Sequence, residues 1–162
     1  MTGETHVIGL ISDTHGLLRA EVFSALAGVE LVLHAGDVGE GVLEELAAIA
    51  PVEAVFGNTD PADDPRLREA IDRDIGGLRV HVSHGHELGS PTPKTLLARY
   101  DADVIVYGHT HQQQVVHSDG RWVVNPGAAG PRRFRLTPSV GRMTITSRRV
   151  EIEIVELKGG SG

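Results

Sequence analysis

The sequence predicts an α/β fold, and three observations carry the prediction. Through the first hundred residues, short apolar runs alternate with segments of helical composition. Short polar clusters rich in Asp, Asn and His follow the apolar runs directly. After Gln112 the helical signal disappears and paired β-type segments replace it. A β-α-β-α-β rhythm implies a mainly parallel sheet with helices packed against it.

Taken in order, residues 6–12 are rich in Val, Ile and Leu, the composition of a strand buried on both faces. Residues 18–27 are helical in composition and 31–34 form a second apolar run. Residues 42–50 carry apolar side chains at helical spacing until Pro51 stops them, and 52–56 form a third strand. The charged segment 61–74, with its two prolines, reads as a loop holding one or two helical turns. Leu78, Val80 and Val82 alternate with Arg79 and His81, the period of a half-buried strand. Residues 93–100 form a helix with Thr92 as N-cap and proline at its first position, and 104–107 form another strand. Ser118-Asp119-Gly120 joins 115–117 to 121–124 as a hairpin; Ser147-Arg148 joins 140–146 to 150–155 as a second.

The 162 residues fit one domain, 1–157, followed by a glycine-rich flexible tail at 158–162. No apolar run approaches a membrane span, and no basic-then-apolar leader opens the chain. Cysteine is absent, which excludes a disulfide framework and thiolate ligands and makes a reducing cytoplasm the expected location. A net charge of −7 with no basic stretch disfavours nucleic acid as partner, and aromatic residues at 4% leave no stacking platform for single strands. Clustered carboxylates that hold cations would invert that sign locally, so a small anionic substrate stays open.

Five clusters carry chemistry: Asp13-Thr14-His15, Gly36-Asp37, Gly57-Asn58, His84-Gly85-His86 and His109-Thr110-His111. Parallel strands bring their C-terminal ends to one edge, where open α/β folds bind ligands, so clusters far apart in sequence meet there. Asp, Asn and neutral His offer oxygen and nitrogen donors suited to Mn²⁺, Fe, Ni²⁺ or Zn²⁺. In extended chain residues i and i+2 point the same way, so Asp13 converges with His15 and His109 with His111. Gly36, Gly57, Gly85 and Gly108 leave room for close backbone approach. Asp37 is the natural carboxylate to bridge two ions. Singly, each cluster has a plainer reading: a cap, a turn, a solvated loop. Together, at the same end of successive strands, they point to metal.

In their order and types these clusters resemble the calcineurin-like metallophosphoesterase superfamily, and within it the small prokaryotic phosphodiesterase branch (Vps29-like), from about residue 7 to 125. The resemblance implies a four-layer α/β/β/α sandwich of two mixed β-sheets flanked by helices. It implies two divalent metal ions, Mn²⁺ foremost, with Fe, Ni²⁺ or Zn²⁺ as alternatives. Asp13, His15 and His111 would bind the first ion and Asn58, His84 and His109 the second, with Asp37 bridging. The implied activity is hydrolysis of a small phosphate ester, a phosphodiester foremost, by a metal-bridging hydroxide rather than a side-chain nucleophile. Asn58 would also orient a substrate oxygen, and His86 is a further candidate for substrate contact. Relatives of this kind often form dimers or tetramers, so a homo-oligomer is compatible.

The chain departs from the superfamily at one position. Much of the superfamily has histidine after the Asn, serving the leaving group; here the segment reads Gly57-Asn58-Thr59-Asp60. Threonine donates a proton poorly at neutral pH, which favours activated diesters over alkyl monoesters. The main rival is a Vps29-like protein-binding scaffold with little or no catalysis. A nuclease of the same superfamily fits the acidic balance poorly, and an amidohydrolase places His-x-His early rather than late. His34 is either a neighbour of the ligands or a satisfied buried histidine. His6, His81 and His117 receive no role, Arg132 and Arg133 read as a solvated pair, the Asn125-Pro126-Gly127 turn as part of the site's rim, and Trp122 as core or interface.

Overall fold

The computed structural model describes residues 4–132 and 136–157. The expected tail at 158–162 and Arg133 of the expected solvated pair lie outside the described residues. Eleven strands and three α-helices are described, in the order β1 (Thr5–Ile11), α1 (Glu21–Ala25), β2 (Leu31–His34), α2 (Val42–Leu46), β3 (Val52–Val55), β4 (Leu67–Arg68), β5 (Ile71–Ile75), β6 (Leu78–Val82), α3 (Pro93–Arg99), β7 (Val104–Val106), β8 (Gln114–Ser118), β9 (Arg121–Asn125), β10 (Ser139–Thr146) and β11 (Arg149–Glu156). A 3₁₀ turn, His86–Leu88, precedes α3.

The strands form two mixed sheets, ordered β11-β10-β1-β2-β3-β4 and β5-β6-β7-β9-β8. In the first, β1 to β4 run parallel while β10 pairs antiparallel with both β1 and β11. In the second, β6, β7 and β9 run parallel, with β5 and β8 antiparallel at the edges. The parallel sheet expected from the β-α-β rhythm is present as β1 to β4. The C-terminal hairpin folds back onto β1, in register Thr5 with Thr146, and makes the first sheet mixed. The two-sheet architecture implied by the family resemblance is what the chain adopts.

Side-chain alternation sets the layers. Ile8 and Leu10 of β1 point between the sheets and meet Val80, Val82, Val104 and Val106 from the second sheet. The opposite face of the first sheet, with Ile11 and Val32, packs on Val22 and Leu26 of α1 and Val42 and Leu46 of α2. Ile105, Tyr107 and Val123 face outward from the second sheet onto Leu96 of α3. The order is helix, sheet, sheet, helix. None of the helices among the described residues is long and apolar enough to cross a membrane.

Local signals read well where burial is one-sided. Thr92 accepts from the amide of Thr95, whose hydroxyl in turn accepts from the amide of Thr92; this capping box and Pro93 start α3 as expected. The helices expected over 18–27 and 42–50 shorten to α1 and α2, each ending in looser turns. The loop expected over 61–74 is corrected: it contains β4 and all but the last residue of β5. In β5 only Ile71 and Ile75 are buried, and the three charged residues between them hide the strand's period. Leu10 is fully buried between the sheets. Leu10→Ala should lower unfolding free energy by about 2–5 kcal/mol in urea titrations, and a loss well under 1 kcal/mol would contradict this packing.

Candidate metal centre

The five polar clusters all leave the C-terminal ends of parallel strands: β1, β2 and β3 in one sheet, β6 and β7 in the other. Because the sheets pack face to face, these ends share one rim. Backbone hydrogen bonds knit the segments there: Asp13 N to Gly36 O at 2.9 Å, His15 N to Asp37 O at 2.9 Å and Gly108 N to His84 O at 3.0 Å. A Cβ at Gly57 would lie 2.1 Å from Asp37 Oδ1, and one at Gly108 would lie 1.9 Å from Ser12 Oγ. Glycine is required at both. The chain is not extended at the rim, which corrects the basis on which i and i+2 were expected to converge. Asp13, His15, Asp37, His109 and His111 have φ of 54°, 47°, 54°, 72° and 65°, a left-handed conformation that costs about 1–3 kcal/mol each and persists only where the surroundings impose it.

The two carboxylates are buried, and each has one oxygen engaged and one turned to the centre. Asp13 Oδ2 accepts from Ser12 Oγ (2.7 Å) and from the amide of His109 (3.1 Å). Asp13 Oδ1 has no hydrogen bond; around it stand the Nε2 atoms of His111 at 3.4 Å, His84 at 3.8 Å and His15 at 3.9 Å. Asp37 Oδ1 accepts from the Thr59 amide (2.9 Å) and hydroxyl (2.7 Å), while Oδ2 faces His84 Nε2 at 3.2 Å and His15 Nε2 at 3.6 Å. Donors about 2.1 Å from one ion and at right angles stand about 3 Å apart, so these spacings fit metal coordination.

Two trios gather within 4.8 Å, Asp13 with His15 and His111, and Asp13 with Asp37 and His84. Asn58 joins the second through its Oδ1, 3.1 Å from His84 Nε2. His109 stands outside both trios, its ring edge-on to His84 with centroids 5.2 Å apart. His86, on the 3₁₀ turn, lies farther out, 5.3 Å from the His84 ring and 6.3 Å from that of His109.

The model of the calcineurin-like phosphoesterase superfamily domain matches residues 7–148. The chain belongs to this superfamily. It is 39% identical over 164 aligned residues to a probable metallophosphoesterase of Methanothermobacter thermautotrophicus, covering 92% of this chain and 91% of that one. A phosphodiesterase of Methanocaldococcus jannaschii is 30% identical, covering 74% of this chain and 82% of the relative. Among solved structures, Vacuolar Protein Sorting 29 from Cryptosporidium parvum superposes with a TM-score of 0.78 at 24% identity, covering 94% and 98% of the two chains. Metallophosphoesterases use divalent metals and act on phosphate esters, which agrees with the donor set at the rim.

Electrostatics sharpen the picture of this metallophosphoesterase. Burial alone would raise the Asp37 carboxyl, but hydrogen bonding and charge from His84, with the two bonds from Thr59, hold it well below the usual carboxylate range. Burial pushes His84 toward neutrality, and the hydrogen bond to Asp37 with the charges of Asp13 and Asp37 outweighs it, raising its pKa. His84 donates Nδ1–H to Ala35 O at 2.8 Å, which fixes the ring and leaves Nε2 to the centre. His109 is lowered by burial and by its neighbour His84.

Several residues that organise the rim were not assigned from the sequence. Asp60 accepts from the amides of Val38, Gly39 and Gly57, tying the β2 and β3 loops together. Asn125, expected in the rim turn, donates to Gly108 O and Thr110 Oγ1 on either side of His109. His34 is a satisfied buried histidine: Nδ1 accepts from Gly36 N, and Nε2–H donates to Thr14 Oγ1, whose own proton goes to Val38 O. Trp122, expected in core or interface, stacks on His117 and packs partly buried against the inter-sheet core.

Burial lowers His34 from 6.5 to about 4, despite raising influences from Asp13 and Asp60. The unfolded chain therefore takes up this proton first as pH falls. The stabilisation from neutral His34 is complete above its unfolded value of 6.5 and declines down to about 4, by about 3 kcal/mol in total. Replacing it, as in His34→Gln, should flatten that limb of the stability–pH curve of the metal-free protein, measured by urea unfolding. An unchanged slope would contradict the assignment.

Proposed function

We propose that this metallophosphoesterase is a binuclear metal-dependent phosphodiesterase, with residues 1–157 as its catalytic domain and Mn²⁺ its resident metal. The observation that supports it best is the pair of buried carboxylates, each turning one oxygen toward imidazole nitrogens, with Asp13 Oδ1 left without a hydrogen bond. In this reading Asp13, His15 and His111 would hold one ion and Asn58, His84 and His109 the other, with Asp37 serving both. When bound, such ions lower the pKa of water and neutralise charge on the phosphoryl oxygens. The buried Asp13 Oδ1, which has no hydrogen-bond partner, supports a bound cation at this place. Turnover, not the cation, separates the enzyme from a scaffold of the Vps29 kind. The absence of cysteine fits a reducing cytoplasm.

The chain's own groups divide the remaining work. Asn58, with Oδ1 toward His84, has its amide nitrogen available to orient a substrate oxygen. His86 at the rim can hold another. Thr59 gives its hydroxyl proton to Asp37 and so has none to offer a leaving group. Substrates whose alcohol departs readily are therefore favoured.

With Mn²⁺ supplied, the protein should hydrolyse bis-(p-nitrophenyl) phosphate faster than simple alkyl monoesters. Metal analysis should return two ions per chain. Tight binding of both ions with no diester turnover would leave the scaffold reading standing. The hydroxyl of Thr59 should matter separately. Thr59→Val should weaken Mn²⁺ binding about 10–100-fold by calorimetry, as removal of a ligand's orienting partner does, and Thr59→Ser should restore it. Equal affinity in all three proteins would remove Thr59 from the site.

A further inference from the structure

Beside the centre lies a cavity of about 320 Å³, between the end of β3, the β4–β5 turn, β6 and the C-terminus of α3. We propose that it seats the alcohol portion of the substrate, and that this alcohol is an amino alcohol. Calling it the leaving group rests on the phosphodiesterase reading; the cavity's selectivity does not.

The cavity adjoins the centre through His86, which lines it and whose ring lies 5.3 Å from that of His84 and 6.5 Å from Phe56 on the opposite wall. A molecule in the cavity thus reaches the rim where a phosphoryl group would sit. The walls are braced before any ligand enters. Tyr100 donates its hydroxyl to Glu87 Oε2 at 2.6 Å, and Gly85 N donates to Glu87 Oε1 at 3.0 Å. The His81 ring stacks on Tyr100 with centroids 3.9 Å apart, and its Nδ1–H donates to Asp72 Oδ1 at 3.0 Å. Glu87 and Asp72 are thereby used in construction. At 3% exposure, His81 keeps an Nε2 with no hydrogen-bond partner.

Two further lining carboxylates are not used that way. Glu69 and Asp101 make no hydrogen bond or ion pair among the described residues. Against them stands one guanidinium, Arg99, whose contact is with the face of the Tyr100 ring at 5.1 Å. A cavity near the small end of ligand pockets takes an alcohol of a few heavy atoms. Two unengaged carboxylates and the rings of Phe56 and Tyr100 suit an ammonium group, and the same carboxylates repel a second phosphate or carboxylate.

The test is binding to the full chain without added metal, repeated with diamagnetic Zn²⁺, so that it is independent of turnover. Ethanolamine, glycerol and glycerate are titrated while histidine and aromatic side-chain resonances are followed by NMR. Ethanolamine should shift Tyr100, His81 and His86, and should bind at least about tenfold more tightly than glycerate, with glycerol between them. Glu69→Gln combined with Asp101→Asn should abolish that discrimination, in a protein whose retained Zn²⁺ binding reports an intact fold. No shift at these residues, glycerate binding as tightly as ethanolamine, or discrimination surviving in the double variant would each overturn the proposal. A protein that binds ethanolamine as expected but hydrolyses no diester would instead sink the phosphodiesterase reading alone.

Discussion

Asp13 and Asp37 lie at a place almost sealed from water, and buried acidic side chains are tolerated only where partners answer them. The rim is organised around that demand. One oxygen of each carboxylate is met by N–H and O–H donors of the neighbouring loops, and the other faces imidazole nitrogens from both sheets. The left-handed backbone at five of the rim residues serves the same end, since it lets short loops turn donors inward. Conformations that cost energy in isolation persist here because knitted backbone and close glycine contacts admit no alternative.

The supporting residues form a hierarchy. His84 is oriented by Ala35 O, the β2 loop by His34 and Asp60, and the segment around His109 by Asn125. None of these partners touches what the centre would bind, yet each removes a degree of freedom from a group that does. A centre held this rigidly costs little reorganisation when charge develops in it.

Much of this was legible in the chain. The clusters after β1, β2, β3, β6 and β7 announced both the strand ends and the donor set, because apolar strands and polar ends differ so sharply in composition. Thr92 and Pro93 announced a helix start. What escaped notice had a common physical cause, dependence on contacts distant in sequence. The pairing of β10 with β1 joins residues as far as 141 positions apart, and β5 hides its two inward isoleucines behind a run of charge. Thr59 could be read as a missing histidine, but not as a clamp on Asp37, because nothing local says which way its hydroxyl turns. The i to i+2 argument rested on an extended backbone that the rim does not have.

The donors of the centre are divided between the two halves of the sandwich, with Asp13, His15, Asp37 and Asn58 on one sheet and His84, His109 and His111 on the other. An ion held by both halves is a staple across their seam. Its binding energy adds directly to the resistance of the two layers against parting, and its removal leaves the seam free to breathe at that end first. Coordination and cohesion are thus one and the same property in this molecule.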